Sequence, residues 1–221
     1  MVAVSENSHV KIVANLAILL TRVESLGENY RPQIEDLALD SLQKRLETAK
    51  KNMRRVRTAH EAYGLAFEAR RVAYIELCGF KEQLLASFRA SVNNISEMAK
   101  VYALFQKISI NVLKAADTSR EAVKVQKEYD AINEYLQQLI LVLEGNSRYR
   151  ASAPEIDVAG LKQLYIKLWD KNNAVKLSEI ALTTAQSIRD QFLYNPVTGV
   201  METVNNVKEY IEGDEGFFAT V

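Results

Sequence analysis

The sequence predicts an all-α chain: an elongated helical bundle with coiled-coil-like long helices and an internal tandem duplication. Three observations predict it. The 221 residues include only 8 Gly and 3 Pro beside 48% hydrophobic residues, a composition poor in turns. An unbroken run of three- and four-residue apolar spacings begins at Leu39. The second half repeats the plan of the first after a shift of 119 residues.

The first element is a short amphipathic helix with Val10, Val13, Ala17, Leu20 and Val23 on one stripe. Gly27 suits its C-terminal cap, and the loop Glu28-Asn29-Tyr30-Arg31-Pro32 follows, where proline forbids simple continuation. Next, Leu39, Leu42, Leu46, Ala49, Met53, Val56, His60, Tyr63, Phe67, Arg70, Tyr74 and Leu77 hold heptad spacing. A helix over 39–78 would be roughly 60 Å long and must be covered by others. Cys78-Gly79-Phe80 offers a break. Leu84, Leu85, Phe88, Val92, Ile95, Met98, Tyr102 and Phe105 then give a third stripe, running to about Lys107. Ile108 to Arg120 reads as a connector in which Asp117-Thr118-Ser119 suits a helix N-cap.

The shift of 119 carries Val13 onto Ile132, Leu20 onto Leu139, Tyr30-Arg31 onto Tyr149-Arg150, Leu42 onto Leu161, Val56 onto Val175 and Arg70 onto Arg189. One more residue of shift pairs Gly79 with Gly199. Residues 1–120 are therefore read as one unit with its connector and 121–221 as a second, packed together as one bundle. The second long helix reaches Tyr194, breaks at Asn195-Pro196-Val197-Thr198-Gly199, resumes to about Glu212 and ends in a frayed tail from Gly213.

The Tyr-Arg-Pro loop followed by Leu-x-x-Leu, the stretch Ala66-Phe67-Glu68-Ala69-Arg70 and, above all, Leu193-Tyr194-Asn195-Pro196-Val197-Thr198-Gly199 leading to Val207-Lys208-Glu209-Tyr210-Ile211 carry a likeness. They resemble a group of uncharacterised all-helical proteins from Bacteroidetes with a duplicated long-helix unit. The resemblance covers most of the chain and implies that fold, but it brings no activity with it. Members often follow the third helix with a basic Arg-Lys-x-x-Gly stretch, where this chain has Phe105-Gln106-Lys107-Ile108-Ser109.

Chemistry is sparse. A di-metal bundle site wants Glu-x-x-His on two helices, yet His9 has Glu6 before it near the terminus, and Arg57 holds that place before His60. His60 reads as a partly buried core or interface histidine, and Cys78 as a structural thiol at a helix break. No glycine-rich phosphate loop, nucleophile elbow or Cys-x-x-Cys pair occurs. No catalytic, cofactor-binding or metal-binding residue is assigned, and the chain is read as non-enzymatic.

Charge points toward proteins rather than polyanions. Lys+Arg and Asp+Glu each total 28, so nothing global draws the chain to nucleic acid or an anionic membrane. Locally, 1–120 carries a net +5 and 121–221 a net −5. The segment Lys44 to Arg71 is the most basic, and Lys50, Lys51, Arg54, Arg55 and Arg57 form one candidate interaction surface. These side chains lie around several faces without interleaved aromatics, which disfavours nucleic acid. The repeated pairs Tyr30-Arg31 and Tyr149-Arg150 form the second candidate, because Tyr and Arg are enriched at interface hot spots. Their plainer role is a tyrosine ring closing the end of a helix pair.

The leading functional expectation is a structural or protein-interaction bundle, an oligomerising subunit with a protein partner or with itself. The alternatives are a membrane-active or pore-forming helical component touching the membrane surface, and a ligand- or metal-binding bundle. No apolar run reaches transmembrane length. Ile12 to Leu20 lacks the flanks of a signal peptide, which places the chain in the cytoplasm by default and leaves open export by a signal-independent route.

Overall fold

The computed structural model describes residues 6–92, 94–116 and 122–218, and among them every regular element is helical. Helix α1 (Glu6–Leu26) stops at Gly27, whose φ of 55° is a left-handed value that glycine adopts without a Cβ penalty. Two 3-10 turns, Gly27–Asn29 and Glu35–Leu37, lead into α2 (Leu39–Gly79). Of the twelve stripe positions counted along α2, only His60 is exposed, so the spacing did find the inward face.

Four expectations need correction. The third stripe is two helices, α3 (Lys81–Ser91) and α4 (Ile95–Ala116). The chain leaves α3 at Val92, and Asn94 starts α4 by accepting the Ser96 and Glu97 N–H groups on its Oδ1 at 3.0 and 3.3 Å. Residues 108–116, read as connector, are the last turns of α4, with Ile108 and Val112 buried; the Asp117-Thr118-Ser119 cap lies outside the described residues. The two histidines exchange roles: His60 is exposed, while His9 is only 2% exposed. Along α1 the buried side chains are His9, Leu16, Leu19, Leu20 and Val23, and Val10 is 55% exposed, because the packed face is rotated from the predicted stripe. Removing the new cap with Asn94→Ala is expected to cost about 1 kcal/mol in a urea melt, since two helix N–H groups lose their acceptor.

Helices α5 (Ala122–Glu144), α6 (Val158–Tyr194) and α7 (Val200–Phe218) complete the order, with a 3-10 turn at Pro154–Ile156 before α6. The backbone of α7 stays helical through Phe218, where fraying from Gly213 was expected.

The chain divides into two compact units, Met1–Glu61 with Ile180–Val221, and Ala62–Glu179. The division falls inside both long helices. The first unit has its own core, in which Leu16, Leu20 and Val23 of α1 join Leu42 and Ala49 of α2 and Leu193, Val200 and Val207. In the second, Tyr74, Leu77, Leu84 and Phe88 pack with Phe105 and Ile108 of α4 and with Ile132, Leu136 and Leu139 of α5. Each fully buried side chain of this size contributes about 1.5–3 kcal/mol. Within this unit α4 and α5 run antiparallel, and Asn146 just past α5 donates to Glu97 at the start of α4. There α2 and α6 meet through long side chains: Arg70 with Asn172, Tyr74 with the Leu168 carbonyl, and Glu76 with Lys167.

Candidate functional site

The two Tyr-Arg loops are built alike, bond for bond. Tyr30 and Tyr149 are each buried, and each hydroxyl donates at 2.7 Å to a carbonyl seven residues on, Leu37 and Ile156. Their main-chain N–H groups donate to Gly27 and Asn146. Arg31 and Arg150 each donate to the carbonyl three residues back, Glu28 and Ser147. Every one of these pairs is 119 residues apart. In the second loop Ser87 and Ser91 of α3 also hold the chain, through hydrogen bonds with Ser152 and with the Arg150 main chain. The tyrosines thus tie each loop to its 3-10 turn, while Arg31 is exposed beside Glu28 at 3.3 Å.

Burial pushes the Tyr30 phenol up to about 12, with the neighbouring Tyr210 adding to it; burial followed by the Asp157 charge does the same for Tyr149. In the unfolded chain these phenols titrate near 10. Their contribution is therefore complete below pH 10 and is lost as pH rises through about 12. Tyr30→Phe with Tyr149→Phe is expected to flatten the loss of stability over that window, at a cost of about 1 kcal/mol each at neutral pH. Urea melts paired with tyrosinate absorbance at each pH check this.

The basic stretch of α2 is exposed at Lys50, Lys51, Arg54, Arg55 and Arg57. Lys50 pairs with Glu47 at 2.9 Å and Arg57 with Glu61 at 3.1 Å, exposed i,i+3 and i,i+4 pairs that contribute little. Arg54 and Arg57 line an open cleft of about 510 Å³ with Met53, Val56, His60, Glu61 and Gln186. It holds no arrangement of nucleophile and base.

Sequence reasoning missed a buried polar network in the second unit. Arg70, 3% exposed, lies 4.0 Å over the Tyr129 ring and 5.3 Å over Phe67. Its Nη1 donates to Gln126 Oε1 at 2.7 Å and to Asn172 Oδ1 at 3.1 Å. The amides of Gln126 and Asn172 then donate to Asp130 Oδ1, which also accepts from Lys176. Above them Tyr74 donates to Asn133 Oδ1 at 2.8 Å. The two amides relay the Arg70 charge toward Asp130, which lets an arginine remain ionised in the core. In the first unit the matching Arg189 is also buried and pairs with Asp190 at 2.8 Å; that carboxylate lies 3.3 Å from the His9 imidazole, and Tyr194 stands edge-on to the ring. Both clusters spend their polar groups on packing helices together. Desolvation pushes the half-buried Cys78 thiol up, away from a reactive thiolate. Among the described residues no group of His, Cys, Asp and Glu could hold a metal ion, and no helix is long and apolar enough to cross a membrane.

What remains is a surface. Ile166, Trp169, Leu177 and Ile180 of α6 are 58%, 51%, 67% and 62% exposed, with Asn173 half-buried between them. Steps of three and four place all five on one side of the helix. The buried face of α6 matches that of α2 at a shift of 119, through Leu42 and Leu161, Ala49 and Leu168, Val56 and Val175, Arg70 and Arg189, Tyr74 and Leu193. At the same shift the apolar ridge falls on Glu47, Lys50, Arg54, Thr58 and Glu61, all exposed. At these five positions α2 offers water polar and charged side chains where α6 offers it apolar ones, although further along α2 exposes Leu65, Val72 and Ile75. Two overlapping apolar periodicities on α6 hid this ridge from a reading of spacing alone.

Comparison with family models, with curated proteins and with solved structures finds no match to this chain.

Proposed function

We propose that this chain is a non-enzymatic interaction protein that presents a helix face to other protein chains, on a scaffold made by tandem duplication. The ridge on α6 carries the reading. Apolar patches of several hundred Å² are often functional surfaces, and the polar residues at the matching positions of α2 indicate that this scaffold does not need apolar residues there. The buried arginines, histidine and tyrosines support the same view, since each is engaged in packing rather than turned toward a cavity. Duplication is supported by loop hydrogen bonds that recur 119 residues apart, and with it a place among the Bacteroidetes helical proteins that the turn motifs resemble.

A photoreactive benzoylphenylalanine in place of Trp169 tests this in the producing cells. Irradiation is expected to give an adduct heavier by a whole protein chain, and the same probe in place of Thr58 on α2 is expected to give none. No protein adduct at 169, or equal adducts at both positions, would overturn the reading.

A further inference from the structure

Resting on that reading, the geometry points to a second copy of this chain as the occupant of the α6 ridge, packed antiparallel about a two-fold axis at Asn173. The spacing carries the argument. Counted from Asn173, the ridge residues stand at minus seven, minus four, plus four and plus seven, so the ridge reads the same in both directions. A two-fold axis there sets Ile166 opposite Ile180 of the second copy, Trp169 opposite Leu177, and Asn173 opposite itself. Self-complementarity of one patch is what an isologous interface demands. An unrelated partner would demand no such symmetry.

The residue at the centre fits. A carboxamide is both donor and acceptor, so two Asn173 side chains can bond each other reciprocally across the axis. One polar residue within an apolar seam fixes register and orientation, because any slip buries it unpaired. The area fits as well. The four apolar residues expose roughly 500 Å² per chain, so pairing buries about 1,000 Å² before any rim is counted, which reaches the lower bound for a specific interface. Asp170 flanks one edge and Lys176 the other. Each meets its own equivalent at an offset of about 9 Å along the axis, about one Debye length at physiological ionic strength. Lys176 is already paired with Asp130 at 3.0 Å, so like-charge repulsion across the axis rests on Asp170 alone, and added salt should not weaken the pair as it would binding to a polyanion.

Size-exclusion chromatography with light scattering on the full chain is expected to show a dimer whose population rises with concentration. Leu177→Glu should raise the dissociation constant at least about tenfold with the helical circular dichroism retained, and Thr58→Glu at the matching α2 position should not. In a Cys78→Ser background, Asn173→Cys should form a disulfide-linked dimer under mild oxidation. Ile166→Cys should not link to itself but should link to a chain carrying Ile180→Cys. A wild-type monomer at every concentration overturns the proposal, and the mass of the adduct at position 169 then decides the broader interaction reading separately. A dimer indifferent to Leu177→Glu, or one in which Asn173→Cys fails to link, places the contact elsewhere. Self-linking of Ile166→Cys would mean a parallel pair and overturn the two-fold arrangement.

Discussion

Arg70→Ala is expected to lower the unfolding free energy by about 3–5 kcal/mol, followed by circular dichroism in urea. The side chain is 3% exposed, so its removal opens a cavity among Phe67, Tyr74 and Tyr129. Its charge lies over an aromatic face at 4.0 Å, a contact of about 1–2 kcal/mol when desolvated. Gln126 Oε1 loses the donor it now meets at 2.7 Å, and Asp130 loses the positive charge relayed to it through two amides. Arg70→Met keeps most of the volume and so recovers the cavity share of that loss, but it still strands the Gln126 oxygen and the Asp130 charge, and it should cost about 1–3 kcal/mol. A loss below about 1 kcal/mol for the alanine variant would show that the arginine is tolerated rather than needed.

Gly199→Ala should destabilise by about 2–4 kcal/mol for a different reason. Asn195 Oδ1 accepts the Val197 and Thr198 N–H groups at 2.9 Å, and the Gly199 N–H closes on the Asn195 carbonyl. A Cβ at residue 199 would overlap the Asn195 carbonyl oxygen and crowd the Asn195 nitrogen and the Leu193 carbonyl, all main-chain atoms that cannot turn aside as a side chain would. Leu193 and Val200 on either side are almost wholly buried, which denies the turn room to shift. Gly64 provides the contrast: it lies within α2 and nothing lies within 4 Å of a Cβ placed there. Gly64→Ala should therefore stabilise by about 0.5–1 kcal/mol through helix propensity alone. The two melts together separate a steric glycine from a merely permissive one.

Spacing and punctuation made the long elements legible. Heptad steps located α2 to within a residue, and Gly27 and the Asn195-Pro196 turn stopped helices where such residues stop them. The break between α3 and α4 escaped because Val92-Asn93-Asn94 contains neither glycine nor proline and the apolar stripe runs on through it. Burial of polar residues was illegible for a deeper reason. His60 and Arg70 both fall on the stripe that the spacing marks as inward, yet Arg70 is enclosed because Tyr129, Gln126 and Asn172 come from distant segments to receive it. Gln126, Asp130 and Asn172 look like ordinary helix-surface residues until those segments meet. The same holds for the site. Tyr149 and Arg150 were visible as a repeated pair, but only their hydrogen bonds show them as builders of a loop, and only exposure in the folded chain distinguishes the ridge of α6 from its core.

One consequence concerns synthesis. The first compact unit joins residues up to Glu61 with residues from Ile180 onward, so on the ribosome it cannot close until the whole intervening unit has been made. At ordinary elongation rates that wait is on the order of 10 s. Through it, α1 and the early turns of α2 carry Leu16, Leu20, Val23 and Leu42 without the Leu193, Val200 and Val207 that finally cover them. The unit from Ala62 to Glu179 is continuous in sequence, so all of its own residues are made before Ile180. Pulse-chase proteolysis of the nascent chain is therefore expected to show the segment 62–179 protected before the segment 1–61.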